Sequence, residues 1–375
     1  MSLLNELLAD KLKERELNGN LRKLSCSRAN VDFFSNDYLG LSTQGTLNKL
    51  IEETYTEAGG TGSTGSRLLS GNNTEAEALE QTIASFHHAE AALLYNSGYD
   101  ANIGLIAAIA LKHTTILYDE LCHASIIDGV RLSITPNKYK FAHNDIADLS
   151  EKMTRYRDRG PIIVITESVF SMDGDTAHLE LIAALCRVND AQLIVDEAHA
   201  TGVFGSKGQG LVAALGLEDQ VFARVHTYGK AMGCHGAAVV GSQLLKQYLI
   251  NYSRSFIYTT ALPVHSIRAI ACAYQYLSAP DFSAQPLHEL IAYFRHCVTE
   301  RNISGFVESM SPVQALITGS NESGIALATK LQAAGLQVKA ILSPTVSAGA
   351  ERLRVCLHSF NTTEQIDVLM NVLGS

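Results

Sequence analysis

Short apolar runs alternate with longer amphipathic stretches from about residue 91 onward. The runs are rich in β-branched residues and have the length of buried strands, while the stretches between them repeat their apolar positions at helical spacing. Strands that alternate with helices are typical of βα units around a mostly parallel sheet, so the predicted class is α/β. The predicted strands are 91–95, 115–118, 162–166, 192–195, 223–227 and 237–240.

The pattern changes after residue 263 and predicts a second, smaller α+β domain. It contains expected helices at 266–277, 287–298, 323–334 and from Thr363 onward, with an expected strand at 314–318. A chain of 375 residues exceeds the roughly 250–300 that one core supports, which also favours two domains. The predicted division is an N-terminal helix and arm (1–37), a large domain (38–270) and a small domain (271–375). Leucines at helical spacing between charged residues predict a packing helix in 1–17, not a signal peptide.

Composition excludes several classes of function. The net charge is −9 and no cluster of Lys and Arg occurs, so nucleic acid is not an expected partner. The seven cysteines are scattered without a CxxC pair, which gives no sign of a metal site and fits a reducing cytoplasm. The longest apolar run, 105–111, is far below the roughly 20 residues that span a bilayer, so a soluble protein without a membrane partner is expected.

One glycine pattern imitates a dinucleotide-binding motif. Gly60, Gly62 and Gly65 form G-x-G-x-x-G. That motif requires an apolar strand before it and a helix at its last glycine, whereas 51–58 is polar and 66–73 has the composition of a loop. The pattern therefore predicts a glycine-rich active-site loop and not a nicotinamide site.

The strongest chemical signal is a set of polar residues where predicted strands end. Asp196 ends an apolar run, and Lys230 follows another between Gly229 and Ala231. Open α/β sheets bind ligands beyond the carboxyl ends of their strands, so these side chains should share a crevice. A carboxylate there is costly unless a cation pairs with it. A pyridinium nitrogen at 4 Å would gain about 4 kcal/mol at an effective dielectric of 20, which keeps the ring protonated.

A lysine with small neighbours at a strand exit can form an imine with an aldehyde cofactor. Pyridoxal 5′-phosphate (PLP) therefore fits both Lys230 and Asp196. Thr227 can donate its hydroxyl to the phosphate, and Ser97, Gly98 and Tyr99 open a helix whose free N–H groups attract an anion. Taken singly, each residue has another explanation. Asp196 could be a helix cap or a metal ligand, and His199 could be a structural histidine. A lysine after a glycine is usually a surface residue. Their combination at strand ends favours the PLP site.

These segments resemble the α-oxoamine synthases, fold-type I PLP enzymes that condense an amino acid with an acyl thioester and release carbon dioxide. The resemblance covers residues 21–373, about the whole chain. Its motifs are 35–42 (SNDYLGLS), 62–71 (GSTGSRLLSG), 123–129 (HASIIDG), 166–175 (TESVFSMDGD), 196–199 (DEAH) and 226–233 (HTYGKAMG).

The resemblance implies roles for individual residues. His123 would stack on the cofactor ring and act with Lys230, Asp196 and His199 in catalysis. Ser171 and His199 would contact the cofactor near its phenolic oxygen. Thr259 and Thr260 would reach the phosphate of a second subunit, which implies an obligate homodimer. The remaining implied contacts are Glu167 with the cofactor, and Arg22, Asn36, His123, Thr345 and Arg354 with the substrates.

Arg354 is the implied partner of the amino acid's carboxylate, a contact suited to a planar bidentate donor. Its neighbour Arg352 is expected in a surface ion pair instead. The expected reaction joins L-alanine to a pimeloyl thioester and gives 8-amino-7-oxononanoate, a step of biotin synthesis.

The chain departs from the family pattern at Leu342, where an arginine is expected. Acyl transfer from acetyl-CoA to glycine or from a long-chain thioester to serine therefore stays open, as does an aminotransferase reaction. A cofactor-binding regulatory protein is a further alternative, but it would need a DNA-binding domain for which the short N-terminal segment leaves no room.

Overall fold

The computed structural model of the chain describes residues 2–24, 31–55 and 60–374. The chain divides into two compact units. The small unit comprises residues 1–35, 172–175 and 286–375, and the large unit comprises 36–171 and 176–285. The domain boundaries near residues 37 and 270 remain a prediction from the sequence. Within the described residues no helix is both long and apolar enough to cross a membrane.

Helices make up most of the secondary structure. They are α1 (Leu3–Leu17), α2 (Thr46–Thr54), α3 (Thr74–Phe86), α4 (Gly98–Ile109), α5 (Ala124–Leu132), α6 (Ile146–Tyr156), α7 (Leu179–Val188), α8 (Leu211–Ala214), α9 (Gln243–Tyr252), α10 (Arg254–Ile257), α11 (Val264–Ser278), α12 (Gln285–Glu300), α13 (Asn321–Ala333) and α14 (Thr363–Leu373). Several begin at a side-chain cap, as the Ser97 hydroxyl accepting the N–H of Asp100 does for α4.

The strands are β1 (Val31–Asp32), β2 (Ala91–Tyr95), β3 (Thr115–Asp119), β4 (Asn137–Phe141), β5 (Ile162–Glu167), β6 (Gln192–Asp196), β7 (Ala223–Thr227), β8 (Ala237–Gly241), β9 (Val313–Ile317), β10 (Leu336–Gln337), β11 (Lys339–Ile341) and β12 (Arg352–Cys356). Seven of them form the central sheet of the large unit, in the order β2-β8-β7-β6-β5-β3-β4. Neighbours from β7 to β4 are parallel, whereas β8 is antiparallel to both β2 and β7.

Burial explains why these strands were predictable. Every residue of β2 and of β5 is buried, as expected for strands covered on both faces by helices. All six predicted strands of the large unit occur within one residue of their expected ends, and the α/β class is confirmed. Strand β4 was not predicted, because it lies at the sheet edge and its sequence NKYKF alternates charged and aromatic residues.

The small unit carries its own antiparallel sheet, in the order β11-β12-β9. Helices α12, α13 and α14 and strand β9 occur where the sequence predicts them, with ends shifted by one or two residues. A two-stranded parallel pair joins β1 to β10. The small unit is therefore α+β, as expected.

Two further expectations concern the first 75 residues. Helix α1 forms as predicted, but its leucines lie on the surface of this chain, with Leu3 73% and Leu8 55% exposed, so the predicted packing is not made here. The glycine pattern at 60–65 follows helix α2 in place of a strand, and no helix begins between residues 60 and 73. Residues 56–59 lie outside the described part. The exclusion of a dinucleotide fold is supported by this arrangement.

Candidate active site

The crevice predicted from the sequence forms where β5, β6 and β7 end. Glu167, Asp196 and Thr227 are the last residues of these three parallel strands, and Glu167 is in register with Asp196. They border one cavity of about 150 Å³ in the large unit. The residues that line it are Gly98, Tyr99, Asn102, His123, Ser125, Glu167, Asp196, Ala198, His199, Thr227 and Lys230.

Lys230 lies in the turn after β7 and contacts a histidine. Its Nζ is 2.8 Å from Nε2 of His199, and Nδ1 of the same ring is 2.7 Å from the hydroxyl of Tyr38. The Tyr38 hydroxyl in turn donates to Oδ1 of Asn36, an oxygen that can only accept. A hydroxyl that donates its one proton to Asn36 must accept from His199, which leaves Nε2 of that histidine as an acceptor for the lysine amine.

Asp196 is buried at the end of β6 with both carboxylate oxygens engaged. Oδ1 accepts the backbone N–H of Ala198 at 2.9 Å, and Oδ2 accepts from Nδ2 of Asn102 at 2.7 Å. These donors fix the plane of the carboxylate. They also offset part of the desolvation that burial imposes on it.

Glu167 is buried beside Asp196, and its Oε1 accepts the backbone N–H of His123. Burial, reinforced by the negative charge of Asp196, raises the pKa of Glu167 to about 8. Glu167 is therefore mainly protonated at neutral pH. A protonated Glu167 adds no second negative charge beside Asp196.

His123 caps the start of α5, where its Nδ1 accepts the N–H of Ser125 at 3.2 Å and lies 2.8 Å from the Ser125 hydroxyl. Burial lowers the pKa of His123, an effect that Asp196 opposes and Lys230 reinforces. The ring is thus favoured in its neutral form. An uncharged imidazole at this wall of the cavity suits contact with an aromatic ring.

An anion could bind at the start of α4. The backbone N–H groups of Gly98 and Tyr99 belong to the first turn, where no helical carbonyl is available to them. A Cβ on Gly98 would lie 3.3 Å from the side chain of Thr227, so glycine permits the close approach of the helix to β7. Ser97 is occupied as the helix cap. Gly98, Tyr99 and Thr227 therefore line a position where an anion could bind.

Several predicted site residues of the large unit lie outside this cavity. Ser171 is buried in the loop after β5 but is not part of the lining. Thr259 and Thr260 border a separate, small cavity, where Nδ2 of Asn96 donates to the Thr259 hydroxyl and to the Thr260 carbonyl. Asn36 contacts Tyr38, as described above, and does not line the cavity.

The remaining predicted residues belong to the small unit. Nη2 of Arg22 donates to the hydroxyl of Thr345 at 2.9 Å, and both side chains are exposed. Arg354 is buried on β12, with Nη1 2.9 Å from Sγ of Cys356. The expectation of a surface ion pair for Arg352 is wrong in its location: Arg352 does pair with Asp173, but it is only 6% exposed, because β12 is the central strand of its sheet.

Sequence reasoning missed several residues that contact the predicted ones, among them Asn102, Ser125 and Tyr38. Asn102 reaches Asp196 from α4, and Tyr38 reaches His199 from a loop. For Asn102 a signal existed, since it is the one polar residue in the apolar stretch 101–109 of α4. Tyr38 stands in the SNDYLGLS segment, but nothing in that segment identifies its partner.

Comparison with known proteins places the chain in a family. The family model described as aminotransferase class I and II matches residues 29–373. A curated 8-amino-7-oxononanoate synthase of Emericella nidulans is 40% identical over 99% of this chain and 95% of that protein. The 8-amino-7-oxononanoate synthase 2 of Bacillus subtilis is 36% identical over 100% of this chain and 97% of that protein.

Solved structures agree with this placement. The 8-amino-7-oxononanoate synthase of Francisella tularensis superposes with a TM-score of 0.77 at 28% identity, covering 92% of this chain and 96% of that one. The serine palmitoyltransferase of Sphingomonas wittichii gives 0.87 at 26% identity, covering 100% and 96%. The fold is therefore that of the fold-type I PLP enzymes. The chain belongs to the class I and II aminotransferase family and, within it, to the α-oxoamine synthases.

Proposed function

We propose that the chain catalyses the PLP-dependent condensation of L-alanine with a pimeloyl thioester, with loss of carbon dioxide, to give 8-amino-7-oxononanoate in biotin synthesis. The observation that carries the proposal is the cavity at the ends of β5, β6 and β7, which brings Lys230, Asp196, His199 and His123 together. Relatives that carry the corresponding name over nearly the whole chain support the choice of reaction.

The residues of the cavity fit PLP by their chemistry. The group requires an amine for its aldehyde, an anion for its ring nitrogen and N–H donors for its phosphate. Lys230 supplies the amine, Asp196 supplies a carboxylate held by two donors, and the first turn of α4 supplies free N–H groups. The buried Oδ1 of Asn102 has no partner among the described residues, and unsatisfied buried acceptors collect at functional sites.

PLP bound here supplies an electron sink that stabilises negative charge on the α-carbon of an amino acid. Lys230 would hold the cofactor through its Nζ, and the same amine, when free, would be the base that takes the α-proton of the amino acid. The acceptor nitrogen of His199 at 2.8 Å is placed to orient that amine. His123 would cover the cofactor ring, while Thr227 and the N–H groups of Gly98 and Tyr99 would hold its phosphate.

Residues of the small unit bind the substrates in this proposal. Arg354 holds the carboxylate of the amino acid, for which its planar guanidinium is suited. Arg22 and Thr345, which contact each other, bind the acyl substrate, and their exposure leaves them open to a ligand. Asn36, Glu167 and Ser171 complete the proposed set, Asn36 with the substrates and the other two with the cofactor.

The proposal includes a homodimer with a shared active site. Thr259 and Thr260 lie away from the Lys230 cavity of their own chain, which fits residues that serve a partner's cofactor. Two large apolar side chains near them are exposed to solvent. Tyr258, which precedes Thr259, is 73% exposed, and Leu69 in the loop at 65–71 is 81% exposed. Light scattering should give twice the mass of one chain. An inactive Lys230→Ala chain mixed with a Thr260→Ala chain should regain activity through hybrid dimers.

A cytoplasmic location belongs to the same proposal. The described cysteines are free thiols, and five of the six are buried. Free thiols are typical of proteins in a reducing compartment.

A grid of substrates tests the reaction. Purified enzyme with PLP is offered glycine, L-alanine and L-serine, each with acetyl, pimeloyl and palmitoyl thioesters, and thiol release and product mass are measured. The pair of L-alanine with a pimeloyl thioester should give the highest kcat/KM and a product of the mass of 8-amino-7-oxononanoate. A faster reaction of glycine with acetyl-CoA, or of serine with palmitoyl-CoA, would contradict the proposal.

Leu342 is the reason that the glycine and serine reactions are tested as alternatives. It stands where the family pattern led us to expect an arginine, and it is part of the small unit that also holds Arg22 and Thr345. An aminotransferase reaction would instead release no thiol and would convert the cofactor to its amine form with an amino donor alone. The same grid separates all of these outcomes.

A further inference from the structure

Asn102 connects two sides of the cavity that the sequence does not link. It lies on α4, is 2% exposed, and uses both hydrogens of its amide nitrogen. Nδ2 donates to Oδ2 of Asp196 at 2.7 Å and to the hydroxyl of Ser125 at 2.9 Å. The Ser125 hydroxyl lies 2.8 Å from Nδ1 of His123. A continuous chain of hydrogen bonds therefore runs from Asp196 to His123.

The orientation of the amide follows from its partner. A carboxylate only accepts hydrogen bonds, so the nitrogen of Asn102 and not its oxygen must face Asp196. The opposite orientation would place the amide oxygen against the carboxylate. The observed orientation leaves Oδ1 buried without a partner among the described residues, a cost that the two donated bonds have to offset.

The donors around Nδ1 fix the position of the proton on His123. The Ser125 hydroxyl accepts from Asn102 and therefore has its own hydrogen free for Nδ1 of His123. The backbone N–H of Ser125 points to the same nitrogen at 3.2 Å. A ring nitrogen that accepts two donors carries no proton, so the proton of the neutral ring resides on Nε2. Burial, which lowers the pKa of His123, acts in the same direction.

The close packing of α4 against α5 allows Asn102 to reach Ser125. Helices α4 and α5 approach closely at Gly129, where a Cβ would lie 3.1 Å from the backbone oxygen of Asn102 and 3.1 Å from the Cβ of Ile106. A larger residue at 129 would push the helices apart. Ser125, one turn earlier on α5, would then move away from the amide of Asn102.

We propose that Asn102 is a positioning residue that sets the Asp196 carboxylate and, through Ser125, holds His123 as its Nε2–H tautomer. One amide thereby orients the two side chains proposed to meet the ring nitrogen and the face of the cofactor. The inference rests on the proposed roles of Asp196 and His123 toward PLP, and it does not depend on which amino acid or thioester reacts.

Three variants of the full-length holoenzyme separate the two arms of the connection. Asn102→Leu is close in volume and removes both donated bonds. Ser125→Ala removes only the link to His123 and keeps the bond between Asn102 and Asp196. Ser133→Ala is the matched control, since it removes a buried hydroxyl at the opposite end of the same helix, which donates to the Val130 carbonyl. The double variant of Asn102 and Ser125 completes a cycle.

Two readouts other than activity are measured. The first is the dissociation constant for PLP with the visible spectrum of the bound cofactor, and the second is the tautomer of His123 from long-range ¹H–¹⁵N spectra. Asn102→Leu should weaken PLP binding by about 10-fold or more, as expected for a lost bond to a charged group, and should shift the His123 signals. Ser125→Ala should shift the His123 signals while the dissociation constant stays within about 2-fold. The double variant should bind PLP no more weakly than Asn102→Leu.

The proposal is overturned if Ser125→Ala leaves the ¹⁵N signals of His123 unchanged, or if a folded Asn102→Leu binds PLP like the wild type with an unchanged spectrum. Should Asn102→Leu not fold, the Ser125→Ala spectra alone decide. A wild-type enzyme that binds PLP but fails to form the amino ketone would contradict the proposed function and leave these comparisons valid.

Discussion

The hydroxyl of Tyr38 lies 2.7 Å from Nδ1 of His199, although the two residues are 161 positions apart in the chain. Tyr38 is fully buried, and the opposite nitrogen of the same imidazole is 2.8 Å from Nζ of Lys230. The tyrosine therefore acts on the lysine through the histidine. Its position determines which nitrogen of His199 faces the amine.

Removal of this hydroxyl should impair proton transfer more than substrate binding. We expect Tyr38→Phe to lower kcat by about 10-fold, the effect of losing one buried hydrogen bond that orients the histidine, with little change in KM for the amino acid. Steady-state kinetics with L-alanine varied measures this split. Tyr274→Phe removes another buried tyrosine hydroxyl, bonded to His87 away from the cavity, and should leave kcat near the wild-type value. An equal loss in both variants would contradict the role of Tyr38.

Lys230 should be indispensable. Lys230→Ala is expected to lower turnover by at least about 10²–10⁴-fold, the range for loss of a general base, and to abolish cofactor attachment that survives borohydride treatment. Mass spectrometry of the reduced protein detects that attachment. Lys207→Ala is the control, because Lys207 bonds to the carbonyl of Ala279 and does not line the cavity. A cofactor adduct on the Lys230→Ala protein would refute the assignment.

Glu167 should make the stability of the cofactor-free protein depend on pH. Burial raises its pKa from an ordinary value near 4.5 to about 8, so the folded protein retains a proton that the unfolded chain releases. The contribution of Glu167 to stability should therefore be complete below pH 4.5, fall as the pH rises toward about 8, and decrease no further above it. Glu167→Gln removes this contribution, since the amide carries no charge at either pH.

Urea unfolding midpoints at pH 5 and pH 8 test this slope. The wild type should lose more stability between the two values than Glu167→Gln does. Glu180→Gln, an exposed position on α7, should show the wild-type slope. Identical slopes for the wild type and Glu167→Gln would show that Glu167 is ionised at both pH values.

The ion pair between Arg352 and Asp173 should stabilise the small unit more than its other ion pairs do. Both partners are largely buried, and removal of one leaves the other charge without compensation. We expect Arg352→Ala to reduce the free energy of unfolding by about 3–5 kcal/mol. Arg301→Ala, which breaks a pair with the more exposed Asp367, should cost about 0–1 kcal/mol. Denaturation curves followed by circular dichroism measure both, and similar losses would contradict the effect of burial.

Much of the site could be predicted because its residues follow strand ends. Asp196, Thr227 and Lys230 are each next to a run of buried residues, and a buried run in an α/β chain predicts a strand whose end meets the crevice. The burial of the arginines in the small unit was harder to predict from the sequence. Arg352 and Arg354 alternate with Leu353 and Val355, which predicts one exposed face, yet all four are buried because β12 lies between β9 and β11.

Local patterns of burial and spacing are enough to predict the fold class, the order of the elements along the chain, and Lys230, Asp196 and His199 in the cavity; His123 was expected from the family resemblance. The partners of those residues depend on tertiary packing. Asn102 and Tyr38 contact Asp196 and His199 across 94 and 161 positions. Such contacts follow from the packing of helices and loops on the sheet, and no local pattern of hydrophobic and polar residues encodes which donor meets which acceptor.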